Sequence, residues 1–471
     1  MRCPYAEFLL LFGLLLCTAI TVGFAFNLSN SEVTCIEEER QALLQFKQGL
    51  EDNYDRLSSW GSHEDCCKWK GIECSNPTGH VIKLHLRANY TFTGTLEFLS
   101  GEISSSLLGL QHLTYLDLSS NYFSIIPNFI GSLTKLQYLN LSNNILMVGT
   151  IPPQLGNLSS LISLDLSLNS RLIEDHNLDW LIHLSSLRQL DMSYLNLSKI
   201  VNWPDKINML PSLSDLRLSY CELSMPVPPV LSHAINSSSP LSFLDLSNNY
   251  LNSSIFPWVF KYNNSLSHLD LSSNVLEGSI PEVFGNMVTL VHLDLSSNNL
   301  QGTIPDLTKL SLLRELRLFE NQLNGSLDNV LGKLSKLQLL DVSLNSLTGV
   351  ITEAHLSNLS SLNHLELSFN SLSLNFTPNW VPPFHLDSIG LRSCKLGPAF
   401  PQWLQTQKNF SRLDISHARI SDTIPNWFWD LSSNINLLKI SHNQISGTIP
   451  LQYFLTKYIS SCIIDFIIGI P

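Results

Sequence analysis

From about residue 81 onward, leucines and polar residues alternate in short bursts of the form L-x-x-L-x-L-x-x-N-x-L. Clear copies are Leu116-Asp-Leu118-Ser-Ser-Asn121, Leu269-Asp-Leu271-Ser-Ser-Asn274, Leu293-Asp-Leu295-Ser-Ser-Asn298 and Leu438-Lys-Ile440-Ser-His-Asn443. Alternation within the burst is strand periodicity, which puts the leucines on one face and the intervening residues on the other. Four bursts lead into G-x-I-P, at Gly149–Pro152, Gly278–Pro281, Gly302–Pro305 and Gly447–Pro450. Glycine permits a turn with unusual dihedrals, and proline holds the next piece extended. The pieces that follow, such as Leu155-Gly-Asn-Leu158, are too short for long helices and predict 3₁₀ or short helical turns.

The bursts recur at a fixed period. Asparagine stands in one column at Asn89, Asn121, Asn144, Asn169, Asn249, Asn274, Asn298, Asn321, Asn345, Asn370 and Asn443, with Cys221 and Cys394 in register and Leu195 and Ala418 as breaks. Most intervals are about 23 to 26 residues, the signature of a leucine-rich-repeat solenoid. The expected fold is therefore an α/β solenoid: a right-handed leucine-rich-repeat superhelix with a concave parallel β-sheet and convex 3₁₀ or short helical turns. One coil cannot cover its own leucines, so stacking stabilises the array. The asparagine amide both donates and accepts, and can satisfy a turn that would otherwise be buried unpaired. Cys221 and Cys394, at the same position, are read as buried structural thiols. About fifteen coils at a strand spacing near 4.8 Å give an inner arc of roughly 70 Å, enough for a peptide or a folded protein.

The ends differ from the array. Residues 1–25 read as a secretory signal peptide, with an apolar run behind Arg2 and small residues at Gly23-Phe-Ala25. Residues 30–80 read as an N-terminal cap, residues 81–450 as the repeats and residues 451–471 as an atypical tail, the chain resembling a truncated product. N-x-S/T sequons at Asn27, Asn89, Asn140, Asn157, Asn196, Asn236, Asn252, Asn263, Asn324, Asn358, Asn375 and Asn409 fit a secreted glycoprotein. Cys35, Cys66, Cys67 and Cys74 cluster where the hydrophobic end of the solenoid needs covering. Adjacent cysteines rarely bond each other. Cys35–Cys66 with Cys67–Cys74 is the expected pairing, and the crossed arrangement is the alternative. Either would staple an amphipathic helix over Glu37–Lys47, whose Ala42, Leu43 and Phe46, with Leu50, recur at helical spacing. Zinc spacing is absent from these cysteines, and no cofactor is expected. A net charge of −12 argues against nucleic acid as a partner.

The cap residues Glu39-Arg40, Ala42-Leu43-Leu44, Phe46-Lys47, Leu57-Ser-Ser-Trp60, Asp65-Cys-Cys67, Trp69, Gly71-Ile, Cys74 and Thr78-Gly79-His-Val81, with the L-x-G-x-I-P repeats, resemble the extracellular part of plant leucine-rich-repeat receptors. Asp179-Trp-Leu-Ile-His-Leu, Asn375-Phe-Thr-Pro-Asn-Trp380 and Phe400-Pro-Gln-Trp403-Leu most resemble the receptor-like proteins that include the fungal-xylanase elicitor receptors. The resemblance covers about residues 30–450. It implies a plasma-membrane protein facing the cell exterior. Such a protein would recognise an extracellular protein or peptide, lack a kinase and signal in defence through a receptor-kinase co-receptor. This sequence departs from that pattern in showing no spanning helix. The second reading is a secreted inhibitor of microbial wall-degrading enzymes, similar to the polygalacturonase inhibitors. An enzyme is not expected, because the acids recur at repeat spacing rather than as a tuned pair.

A ligand would meet the concave face. Its central column reads mostly aspartate, a repeat habit that serves solubility and local hydrogen bonding, and Arg217 and Arg317 interrupt it. Tyr194, Arg217, Tyr220 and Phe243 fall in three consecutive coils and are expected to be neighbours; Phe319 lies further along. Tyrosine and arginine dominate binding hot spots. His268, His292 and His364 each stand two places before an acid. They read first as plain solvent-exposed histidines, and the alternative is that their protonation in a mildly acidic wall space tunes capture.

Overall fold

The structure, a computed structural model, describes residues 34–447 apart from 62–64, 91–93, 174–176, 226–239, 328–330 and 432–434, together with the backbone of a strand at Ile463–Asp465. The expected signal peptide, the sequons at Asn27 and Asn236 and most of the tail lie outside the described residues.

A cap precedes the coils. Helix α1, Glu37–Gln48, opens on three glutamates, which favour the positive end of the helix dipole. Ala42, Leu43 and Phe46 are buried as the spacing requires, and the helix packs on the 3₁₀ turn Ser105–Gly109. Leu50 departs from that expectation. The helix stops at Gly49, and Leu50–Glu51 pairs as a short strand with Ser100–Gly101. Disulfides join Cys35 to Cys66 and Cys67 to Cys74, so the uncrossed pairing holds.

The concave sheet begins with Ile72–Cys74, antiparallel to Val81–His85. From Val81–His85 onward every pairing is parallel, in sequence order and in register, with leucine opposite leucine from Leu84, Leu116, Leu139 and Leu164 on to Leu438, except where Ile389 takes the place. The terminal strands each have one neighbour, so the sheet is an open arc. Its last strand, Ile463–Asp465, lies in the segment expected to leave the repeat. Inward leucines such as Leu116, Leu139 and Leu269 are fully buried and form one continuous core along the array.

The asparagine column holds successive coils together. In Asn144, Nδ2 donates to the carbonyls of Leu141, Ser142 and Leu118, while Oδ1 accepts from the Phe123 N–H one coil back. Asn169, Asn249, Asn274, Asn298, Asn345 and Asn370 repeat the pattern of donating to their own coil and to the coil before. Cys221 and Cys394 take the same place. Each thiol donates to a carbonyl one coil back, Met192 at 3.2 Å and Leu367 at 3.4 Å, and burial pushes both up to about 12. They are structural thiols.

Asn89 breaks the column. Its side chain is exposed, and its backbone pairs antiparallel with Glu97. The cap supplies a substitute: Arg56 Nη2 donates to the carbonyls of Leu86 and Arg87.

Two regularities were not read from the sequence. A second parallel sheet of five strands, from Glu277–Ser279 to Ser371–Leu374, flanks the first. Gly278 and Gly302 sit in it at φ +79° and +77°, which glycine adopts freely. In addition, the residue before each column position from Asn121 onward is left-handed: Ser120, Asn143, Leu168, Tyr194, Tyr220, Asn248, Ser273 and the rest. A non-glycine residue there costs roughly 1–2 kcal/mol. The column's hydrogen bonds over-determine the turn and offset that cost.

Candidate functional site

Five consecutive concave strands place Asp215, Phe243, His268, His292 and Glu315 directly opposite one another. Their side chains form a ridge. The Arg217 guanidinium lies over the Phe243 ring at 4.2 Å. Phe243 stacks on His268 at 3.9 Å, nearly parallel, and His268 stacks on His292 at 4.1 Å. His292 Nδ1 meets Glu315 Oε2 at 3.1 Å. Both ends close the same way, because acid-Leu-Arg occurs at each. Arg217 folds back on Asp215, with Nε at 3.0 Å from Oδ1, and Arg317 folds back on Glu315 at 2.8 Å. At the strand spacing of about 4.8 Å the ridge runs roughly 19 Å, the length of about six residues of extended peptide.

Beside the ridge runs the central column, Asp245, Asp270 and Asp294, with Arg217 and Arg317 in the same column at its two ends. Each aspartate accepts from the backbone N–H two residues on, Ser247, Ser272 and Ser296, so the column first serves the turn, as the sequence indicated. Packing carboxylates side by side away from water has a further effect. Burial, and then the neighbouring Asp294, push Asp270 up to about 6.

The histidines move the other way. Burial, helped by the nearby His292 and Arg217, pushes His268 down to about 4, and burial also lowers His292 and His364. At mildly acidic pH His268 therefore stays neutral, as an aromatic stacking partner. The three are neither plain solvent-exposed histidines nor groups that protonate at mildly acidic pH: they are half-buried, and the group raised into that range is Asp270.

Tyr194, Arg217, Tyr220 and Phe243 separate into two couples. Tyr194 and Tyr220 stack at 4.5 Å from left-handed turn positions and are exposed. Arg217 and Phe243 belong to the strand ridge. Phe319 is half-buried in the turn before Asn321, where its carbonyl accepts from the Ser297 N–H.

A concavity of about 290 Å³ farther along the face brings together His364, Glu366, Phe369, Arg392, Arg412 and Lys439, among others. Arg392 lies over Phe369 at 4.9 Å. Arg392 and Arg412 were missed in the sequence. Arg392 stands in the turn rather than in a strand column, so strand spacing does not flag it.

The sequons are not equivalent. Asn89, Asn157, Asn196, Asn324, Asn358, Asn375 and Asn409 are exposed, and Asn252 and Asn263 are half-buried. Asn140 is buried, and its Nδ2 donates to Asp165 Oδ2 at 3.0 Å.

Residues 36–75 match the leucine rich repeat N-terminal domain, residues 232–423 match a leucine-rich repeat region, and residues 112–133 and 135–158 match single leucine rich repeats. The chain is 38% identical to Receptor-like protein EIX1 of Solanum lycopersicum over 86% of its own length, and 39% identical to Receptor-like protein EIX2 of the same plant. It covers 52% of each, and so spans about half the length of these relatives. Among solved structures, the leucine-rich-repeat ectodomain of the Arabidopsis receptor kinase HAESA, in complex with a peptide hormone ligand, aligns with a TM-score of 0.65 at 27% identity. That alignment covers 88% of this chain and 71% of that one. PEPR1 with AtPEP1 shares the fold at a TM-score of 0.55 and 24% identity.

Proposed function

Because this chain belongs to the leucine-rich-repeat receptor-like proteins of plants, we propose that it is an extracellular ligand-recognition module whose concave face captures a microbial or endogenous protein or peptide. One observation carries the reading: the continuous ridge from Arg217 through Phe243, His268 and His292 to Arg317, closed at each end by an acid–arginine pair. A flat apolar strip bracketed by charge suits an extended segment lying across the strands. Apolar groups rest on the rings, and the ends meet the arginines and the aspartate column. The HAESA ectodomain, a repeat array of the same fold in complex with a peptide hormone ligand, supports peptide capture by such an array. Defence signalling through a receptor-kinase co-receptor, and placement at the plasma membrane, follow in this proposal from the relatives. Among the described residues no helix is long and apolar enough to cross a membrane.

The test uses the purified chain and a fungal xylanase as the first probe, followed by a panel of extracellular peptides. Saturable binding is expected, weakened when Phe243 and Arg217 are both replaced by alanine. Binding that ignores the double replacement would remove the ridge from the reading. Inhibition of a fungal polygalacturonase, with no binding to the other probes, would favour the inhibitor reading.

A further inference from the structure

Away from the ridge, where the cap meets the first coils, three metal-ligating side chains converge from separate parts of the chain. We propose that Glu39, His80 and His112 form a binding site for one divalent transition-metal ion of the zinc type. Glu39 comes from α1, His80 stands just before the strand Val81–His85, and His112 precedes Tyr115–Asp117. One ligand atom from each lies within 4.8 Å of the others.

The carboxylate is set for this role. Glu39 is buried, and its Oε2 accepts from the Val81 N–H at 2.6 Å, an outer hydrogen bond of the kind that orients metal ligands. Oε1 remains for the two imidazoles. His80 Nδ1 is 2.9 Å from it and His112 Nδ1 is 3.9 Å. The two rings stack at 3.7 Å and turn the same nitrogen toward the same oxygen. His112 Nδ1 is buried without a hydrogen-bond partner. A buried unpaired nitrogen is costly. A cation shared with Oε1 and His80 Nδ1 would satisfy it.

The donor set points to the class of ion. Two imidazoles and one carboxylate suit zinc and its neighbours, whereas calcium and magnesium prefer oxygen ligands throughout. Ligand distances near 2.0–2.1 Å require the stacked rings to splay apart. Their side chains are 30% and 40% exposed, which leaves room for that movement and an open position for water. Lys135 adds positive charge near His112, so the site would release metal more readily than an all-anionic one. Two other clusters are weaker candidates. The four cap cysteines are disulfide-bonded, and in the Asp270–His292–Asp294 group His292 Nδ1 is already engaged by Glu315.

The ion would tie the helix, the first strand and the next coil together at one point. Zinc chloride titrated calorimetrically into the purified chain at neutral pH should give one saturable site, and cobalt should give the absorption bands of a tetrahedral complex. His112→Gln should weaken zinc binding by at least about tenfold, the lower bound for loss of even an outer ligand contact. His292→Gln should leave zinc binding unchanged. Chelation should lower the thermal midpoint of the unmodified chain, and zinc should restore it, which keeps the test independent of how well His112→Gln folds. Absence of saturable uptake, unchanged affinity in His112→Gln, or loss of zinc in His292→Gln would each overturn the proposal.

Discussion

Arg56 Nη1 donates to the side-chain oxygen of Asn121 at 2.9 Å, joining the cap to the first buried asparagine of the column. The same guanidinium serves the carbonyls of Leu86 and Arg87, the groups left when Asn89 turns outward. Arg56→Ala should destabilise the cap and first coils by about 2 kcal/mol, the scale for losing hydrogen bonds from a charged donor, since Leu86 O keeps the Asn121 amide and Asn121 Oδ1 keeps the Leu99 N–H. Amide exchange should accelerate near Leu99 and Asn121 and remain unchanged near Asn345. Lysine should rescue little, since one ammonium cannot span three acceptors held in a fork. Equal exchange rates in both regions would reject this role.

The ridge makes opposite demands on its two titrating neighbours. Asp270 is raised from 3.8 to about 6, so the folded chain holds that proton more tightly than the unfolded one. Its stabilising contribution is present at low pH and is lost as pH rises through that interval. Asp270→Asn should therefore stabilise at pH 7 by on the order of 1 kcal/mol, after allowance for residual solvent, and by nothing near pH 4. His268 is lowered from 6.5 to about 4, and its contribution is present above 6.5 and lost on acidification. His268→Gln should gain on the unmodified chain as pH falls from 6.5. Melting curves across this range check both signs, and a pH-independent difference for either variant would contradict its assignment.

Glycan occupancy should follow burial rather than the sequon. Peptide mapping of the secreted chain is expected to find sugar at Asn157 and Asn409, which are exposed, and none at Asn140, which is buried with its amide committed to Asp165. A modified Asn140 in folded material would show that this coil does not close as described.

Cys221 and Cys394 should resist alkylation in the native state and react once the chain is denatured. Their thiols are buried and pushed up to about 12, so almost no thiolate exists at neutral pH. Rapid native labelling of either would mean that the column opens there.

The column and the cap helix were legible because each is written in local spacing, whereas spacing left the crossed disulfide pairing open and the structure selects the uncrossed one. Asn89 was not legible, since its register is correct and only the approach of Arg56, 33 residues earlier, makes its amide dispensable. The candidate site was half legible. Phe243, His268 and His292 share a strand column, and spacing found them. Tyr194 and Tyr220 were grouped with Arg217 because sequence distance does not reveal a left-handed turn or an arginine folded back on its own strand. Titration was misplaced for a related reason: a histidine stacked between rings and an aspartate lined with aspartates trade their usual pH ranges.

Each column asparagine from Asn121 onward completes groups that belong to the coil before it, as Asn144 does for Phe123 and Leu118. A coil is therefore finished only when its successor arrives. The cap supplies the first surface, and each coil closes hydrogen bonds left open by the one before it, so an excised coil would leave its predecessor with unpaired groups.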